Sequence, residues 1–317
     1  MKKFIYGGIF GLAIGDALGV PVEFMKREDL KKDKVKDMLS YGVNNKPAGT
    51  WSDDTSMALA TMDSLKSGLD YYDIMDKFLQ WFLNGKYTPD NVPFGIGKTT
   101  LNALIKYKKK NPPLECGGDD IRDNGNGSLM RILPILFFLR NKYGKNFLDK
   151  KEAFELIHNI SALTHRHNIS KIGCGIYISI GNYILDGENL EDAIYKGIDK
   201  AFNYYENDEN FKEDIDNYSR LKNRDFYKLG DENIKSSGYV VDTLEASIWV
   251  LLNTKSFDEA VLKAVNLGDD TDTVAAVTGG LAGMNYGFSN IKNTWMENLV
   301  NKNIIINIIN EFEKSLK

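Results

Sequence analysis

The apolar positions of this chain of 317 residues recur in steps of three and four, and no long alternating run interrupts them. Residues 4–20 are apolar on nearly every side, with Gly8, Gly11, Gly15 and Gly19 spaced three or four apart. Glycine costs a helix about 1 kcal/mol relative to alanine, so such a row predicts a smooth ridge on which a second helix packs closely. Pro21 ends this first helix. Helical patterns follow over 54–67, 70–84, 97–110, 129–139, from about 150 to near His165, over 170–186, 189–205 and 243–252, and in the tail 291–316. Residues 26–48 read as a charged loop and 92–97 as a turn-rich connector, while 206–235 are polar enough for an insertion or a pair of short surface helices. Strand signals are weak and no Pro/Gly/Ser linker divides the chain, so the expectation is one compact all-α domain over 1–317.

Two polar stretches break the apolar pattern in the same way. Gly49-Thr50-Trp51-Ser52-Asp53-Asp54-Thr55 runs into one helix, and Leu267-Gly268-Asp269-Asp270-Thr271-Asp272-Thr273 runs into the small-residue helix that follows. Such segments repel themselves unless cations or helix amides neutralise them. Helix capping alone explains Ser, Thr and Asp at these positions. A cap needs one side-chain oxygen, however, and each segment supplies three or more. The donors are all oxygen, which suits Mg²⁺, Mn²⁺ or Ca²⁺ and argues against zinc. The two segments are therefore expected to meet and hold hard divalent cations.

Three further features carry candidate chemistry. Glu23 lies between Val22 and Phe24, either reaching for solvent or working. Asp119 to Ser128 is a glycine-rich polar loop ahead of an apolar helix, suited to an anion such as phosphate or to an ordinary capped turn. His165 and His167 are two apart and do not share a helical face, so no histidine metal pair is expected.

Composition narrows the classes. Hydrophobic content of 43% supports a large core, and 40 basic against 44 acidic residues gives no electrostatic case for a nucleic-acid partner. Cys116 and Cys174 define neither a disulfide framework nor a zinc site, which fits a reducing, cytoplasmic setting. Met1-Lys2-Lys3 and the apolar run behind it imitate a secretory signal. Four glycines by Gly15, Asp16 within the span and no small-x-small cleavage site before Glu23 argue for a buried helix, with no membrane role.

Five segments occur in one order: Gly15-Asp16-Ala17-Leu18-Gly19 with Glu23, Trp51-Ser52-Asp53-Asp54-Thr55, Asn124-Gly125-Asn126-Gly127-Ser128-Leu129-Met130-Arg131, Leu163-Thr164-His165, and Gly268-Asp269-Asp270-Thr271-Asp272-Thr273. Together they resemble the ADP-ribosylglycohydrolase family, from about residue 4 to about residue 285. The resemblance implies an all-helical fold with a binuclear Mg²⁺ or Mn²⁺ centre in a cleft. It implies Ser52, Asp53, Asp54, Asp270, Asp272 and Thr273 as metal ligands, Ser52 standing where the family usually has threonine. It further implies Glu23, Asp53 or Asp123 as the acid or base, and Asp123, Asn126, Gly127 and Ser128 around the ribose and diphosphate. His165 matches a diphosphate contact, Tyr239 an aromatic lining the cleft, and Asp269 a capping or supporting position.

The implied reaction removes ADP-ribose from protein arginine by hydrolysis at C1″. The alternatives are the same fold acting on serine-linked ADP-ribose or O-acetyl-ADP-ribose, a non-catalytic ADP-ribose-binding relative, and, from the acidic segments alone, a two-metal phosphohydrolase.

Overall fold

The two glycine-rich helices lie against each other along their whole length, and the rest of the molecule is built around that seam. In the computed structural model, which describes residues 1–316, these are α1 (Lys2–Gly19) and α13 (Thr271–Tyr286). A Cβ at Gly7 would collide with the Gly283 carbonyl, one at Gly11 with that of Gly279, one at Gly15 with that of Ala275, and one at Gly19 with the Asp272 backbone. The ridge thus runs in steps of four from Gly7. Gly8, expected to belong to it, instead faces the side chains of Met284 and Leu133. Thr271 Oγ1 donates to the Gly19 carbonyl at 2.8 Å and locks the seam at the end where the acidic residues lie.

The other helices are α2 (Arg27–Lys32), α3 (Asp53–Leu65), α4 (Tyr71–Asn84), α5 (Lys98–Lys108), α6 (Pro113–Cys116), α7 (Leu133–Tyr143), α8 (Lys151–Ala162), α9 (Asn168–Leu185), α10 (Leu190–Glu206), α11 (Val240–Leu252), α12 (Phe257–Val265), α14 (Asn293–Asn298) and α15 (Asn303–Ser315). Among the described residues there is no strand, only isolated bridges such as Gly125 with Tyr239. The buried apolar side chains form one continuous cluster. α1 alone buries Ile5, Ile9, Phe10, Leu12, Ile14 and Leu18, each contributing about 1.5–3 kcal/mol. The window Lys2–Val22 is long and apolar enough to cross a membrane, yet 94% of it is buried within the fold, as a core helix should be.

Some boundaries differ from the pattern for local reasons. α7 begins at Leu133 rather than Leu129, because Pro134 suits a first turn and cannot donate within a helix already under way. The tail divides into α14 and α15, and α2 and α12 occupy stretches for which no helix was expected. The polar segment 206–235 is a series of short 3₁₀ turns anchored by buried Phe211, Ile215, Tyr218, Leu221, Phe226 and Ile234. Arg27 ties its end to the approach to α13: Nε donates to the Leu267 carbonyl at 2.5 Å, and Nη2 donates to the Ile234 carbonyl at 2.6 Å and to Ser236 Oγ at 3.1 Å.

Candidate active site

Ser52 caps α3, with Oγ 3.3 Å from the Asp54 amide, so Asp53 and Asp54 occupy the first turn where the helix dipole favours negative charge. Asp270 stands just before α13, and Asp272 and Thr273 lie in its first turn. The α1–α13 seam delivers these two helix beginnings to the same place. Thr273 Oγ1 reaches Asp54 Oδ2 at 3.4 Å, across 219 positions of sequence, and Ser52 Oγ donates to the same oxygen at 3.0 Å. The expected meeting of the two acidic segments is found.

Asp16 joins them from α1. Its carboxylate accepts from the Ser52 amide at 2.9 Å, the Thr55 amide at 3.0 Å and Thr55 Oγ1 at 2.6 Å. One ligand atom each from Asp16, Asp54 and Asp272 lies within 4.8 Å of the others, and so does one each from Glu23, Asp270 and Asp272. Asp272 belongs to both groups. Proximity admits Asp16 as a ligand, but its oxygens already take several donors from the start of α3. We read it as the brace that holds Ser52 and Thr55 in place. Asp54 Oδ1, by contrast, is buried with no hydrogen-bond partner. An orphaned carboxylate oxygen among oxygen-only donors fits a hard divalent cation.

The electrostatics agree. Burial raises the pKa of Asp16 to about 6 and those of Asp53, Asp54 and Asp272 well above the usual carboxylate value, with the neighbouring acids adding to the last three. Glu23 is raised by burial, opposed by its bond from Asn44 Nδ2 (2.6 Å to Oε2) and reinforced by Asp270. At Asp16, Glu23, Asp53 and Asp54 hydrogen bonding opposes the shift, and at Asp272 burial and the neighbouring acids all raise it.

The acids form one side of a cleft of about 230 Å³. Glu23, Asp53, Asp270, Asp272 and Thr273 face Gly95, Gly97, Lys98, Thr99 and Thr100 around the start of α5, together with Gly125, Asn126, Gly127 and His165. Gly95 lies so close to Asp53 Oδ1 that a Cβ there would collide with it. Asn126 spends its amide on Thr243 Oγ1 at 2.9 Å and Asp270 Oδ2 at 2.8 Å, so it orients an acid as well as lining the cleft. A larger concavity of about 780 Å³, between Lys2 and Ser289, is lined by no acid or histidine.

Three expected positions need correction. Ser128 is fully buried, and its hydroxyl turns away from the cleft to Ser161 Oγ at 2.9 Å and Cys174 Sγ at 3.6 Å. Asp123 does not line the cleft. Its oxygens serve the Asp120 amide at 3.2 Å and Thr99 Oγ1 at 3.3 Å, closing a capping box. Tyr239 is half-buried beside the cleft, where its bridge with Gly125 places Gly238, not the tyrosine ring, on the wall. Asp269 is exposed and left-handed (φ 57°), and pairs through its backbone: its carbonyl accepts from the Phe24 amide and its amide donates to Met25. That clasp fixes Glu23 next to Asp270.

Comparison with known proteins decides the family. The model of the ADP-ribosylglycohydrolase family matches residues 2–316. The chain belongs to the ADP-ribosylglycohydrolase family. It is 36% identical over 304 residues to ADP-ribosylarginine hydrolase Tri1 of Serratia proteamaculans, covering 95% of this chain and 76% of that protein. It is 27% identical to the ADP-ribosyl-[dinitrogen reductase] glycohydrolase of Rhodospirillum rubrum, covering 92% of this chain and 89% of that one. A solved structure described as an ADP-ribosylglycohydrolase-related protein complex superposes with a TM-score of 0.81 at 26% identity, covering 100% of this chain and 99% of the other. The chain is thus an enzyme of the glycosidic-bond hydrolase class.

Sequence reasoning missed two parts of this glycohydrolase cleft. Asp16 sits in an otherwise apolar helix, and that isolation is the signal that it is held by buried donors. The approach to α5 reads only as a connector and its first turn only as helix, with no chemistry assigned to either. Its run Gly95-Ile96-Gly97-Lys98-Thr99-Thr100, small residues followed by a cation and hydroxyls at a helix start, was the available clue.

Proposed function

We propose that this protein hydrolyses the bond joining C1″ of ADP-ribose to a protein arginine, with the help of two divalent cations, Mg²⁺ or Mn²⁺. The observation that carries the reading is the convergence of Asp53, Asp270 and Asp272 on one cleft, with Asp54 buried beside Asp272, facing glycines, hydroxyls and His165. The arginine linkage is supported by the 36% identity to a relative named for that activity.

Ser52, Asp53, Asp54, Asp270, Asp272 and Thr273 would hold the cations. When bound, these would chelate vicinal ribose hydroxyls and polarise a water. The chain's own groups do the rest. Asn44 holds one oxygen of Glu23 and leaves the other for a proton, and burial raises this acid toward the range useful for general acid–base work. Glu23 or Asp53 takes the proton from the attacking water as the C1″–nitrogen bond breaks and the guanidine leaves. Asp123, committed elsewhere, is dropped from this role. Gly127 and His165 face the side of the cleft where a diphosphate would lie.

The test is mass-spectrometric product analysis on arginine-ADP-ribosylated protein, with EDTA and then with Mg²⁺ or Mn²⁺ restored. Metal-dependent release of intact ADP-ribose with unmodified arginine is expected. Release of AMP, or turnover of serine-linked or O-acetyl substrates alone, would overturn the assignment.

A further inference from the structure

Arg131 is fully buried, its guanidinium stacked 4.6 Å from the centroid of the Phe78 ring, and among the described residues no salt bridge neutralises it. Nε and Nη1 have no hydrogen-bond partner among the described residues. Nη2 donates to Thr164 Oγ1 at 2.6 Å and, more weakly, to the Ile160 carbonyl at 3.3 Å. Thr164 Oγ1 lies in turn 2.8 Å from His165 Nδ1. A guanidinium has donors and no acceptor, so the threonine oxygen must accept from it. The hydroxyl proton then has His165 Nδ1 as its one remaining partner among the described residues. A ring whose Nδ1 accepts carries its proton on Nε2. That edge faces the cleft: a Cβ at Gly127 would come within 2.8 Å of His165 Cε1 and 3.3 Å of Nε2, and one at Gly125 within 3.5 Å of Nε2.

We infer that Arg131 acts as a positioning residue, setting through Thr164 the Nε2–H tautomer of His165 and so presenting a fixed neutral donor to the anionic part of the substrate. The direction of the relay follows from two constraints together: the guanidinium cannot accept, and the threonine proton has Nδ1 as its one acceptor among the described residues. The backbone of His165 is held as firmly, its carbonyl taking Ser161 Oγ at 3.0 Å, and Ser161 leans on Ser128. This gives the misplaced Ser128 its task. Burial and the nearby Arg131 charge keep the imidazole neutral, with a pKa lowered to about 3, in keeping with a donor of constant charge.

The inference rests on the proposed diphosphate contact only for its consequence in binding, and the tautomer is read without substrate. Long-range ¹H–¹⁵N correlation on ¹⁵N-histidine-labelled protein, assigned with His165→Asn, is expected to show the Nε2–H form of His165. Thr164→Val, nearly isosteric, should lose that single form, raise KM and the Kd for ADP-ribose about tenfold, and change kcat less than about threefold. Thr164→Ser should restore both. An Nδ1–H signal in the unmodified protein, or an unaltered Nε2–H signal in Thr164→Val, overturns the inference. A tautomer lost in Thr164→Val with ADP-ribose affinity unchanged supports the relay and removes His165 from the diphosphate instead.

Discussion

The two walls of the cleft solve opposite electrostatic problems. On one, Asp53, Asp54, Asp270 and Asp272 crowd together with no cation among them, and Asp54 Oδ1 has no partner. On the other, the residues that face the cavity include glycines, threonines, Lys98, Asn126 and a histidine held neutral, with the guanidinium of Arg131, in no ion pair among the described residues, behind it. The first wall lacks positive charge and the second has donors to spare. Under the proposed function, a ligand carrying a hydroxyl-rich sugar at one end and an anionic diphosphate at the other would complete both, and cations would fill the first deficit. The walls also differ in construction. The acidic one hangs on helix beginnings beside a glycine seam, whereas the donor wall combines the first turn of α5 with loops that pair with one another, such as Asn126 N to Gly238 O at 3.0 Å.

The largest effect should come from Asp272, the residue common to both acidic groups. Asp272→Ala is expected to lower kcat on the order of 10³-fold or more while folding is retained, as judged by circular dichroism. Wild-type-like turnover would mean that the acidic wall is structural. Next comes the seam beneath that wall. Gly15→Ala places a methyl against the Ala275 carbonyl, and an overpacked core contact costs about 3 kcal/mol, readable as a lower urea midpoint. Gly97→Ala is the control from the donor wall, because nothing lies within 4 Å of its added Cβ. Equal losses would show that backbone contact does not distinguish the two walls.

A smaller effect separates the walls by pH. Asp16, whose pKa rises from 3.8 to about 6, keeps its proton longer in the folded protein than in the unfolded chain, and Asp53, Asp54 and Asp272 shift in the same direction. Folding therefore takes up protons, and the stability of the metal-free protein falls as pH rises from about 4 through 6 and beyond. Saturating Mg²⁺ or Mn²⁺ should reverse this, adding about 2.7 kcal/mol at a hundredfold excess over Kd. Thermal melts from pH 5 to 8, with EDTA or metal, check it. A Tm that rises with pH in EDTA would place the repulsion elsewhere.

The acidic wall was legible in the sequence and much of the donor wall was not, for a physical reason. Ser-Asp-Asp at the start of one helix and Asp-Thr-Asp-Thr at another are local statements, and the glycine spacing showed that a second helix approaches the first, though not which one. That spacing missed only the phase, Gly7 for Gly8, because neighbouring glycines offer two ridges and the partner chooses. The loop wall depends on tertiary pairing. Nothing local in Asn126-Gly127-Ser128 says that the serine turns inward to Ser161, or that Asp123 closes a box with Asp120. Asp16 was hidden in the opposite way, by an apolar helix that reads as pure core.

Asp123 gives the smallest expected effect and the sharpest contrast with the acids across the cleft. Its carboxylate accepts from the Asp120 amide and Thr99 Oγ1, both neutral donors, and it is half-exposed. Asp123→Asn keeps the size of the side chain and one acceptor oxygen, so the capping box weakens by no more than about 1 kcal/mol. Turnover should change less than about threefold, and any loss should appear in KM, through the Thr99 hydroxyl that borders the cleft. Glu23→Gln, by contrast, removes a proton-transfer group and should lower kcat about 10²-fold or more. A collapse of kcat in Asp123→Asn, with Glu23→Gln nearly unaffected, would move the acid–base chemistry from the acidic wall to the loop wall and reverse the division of labour argued for the two.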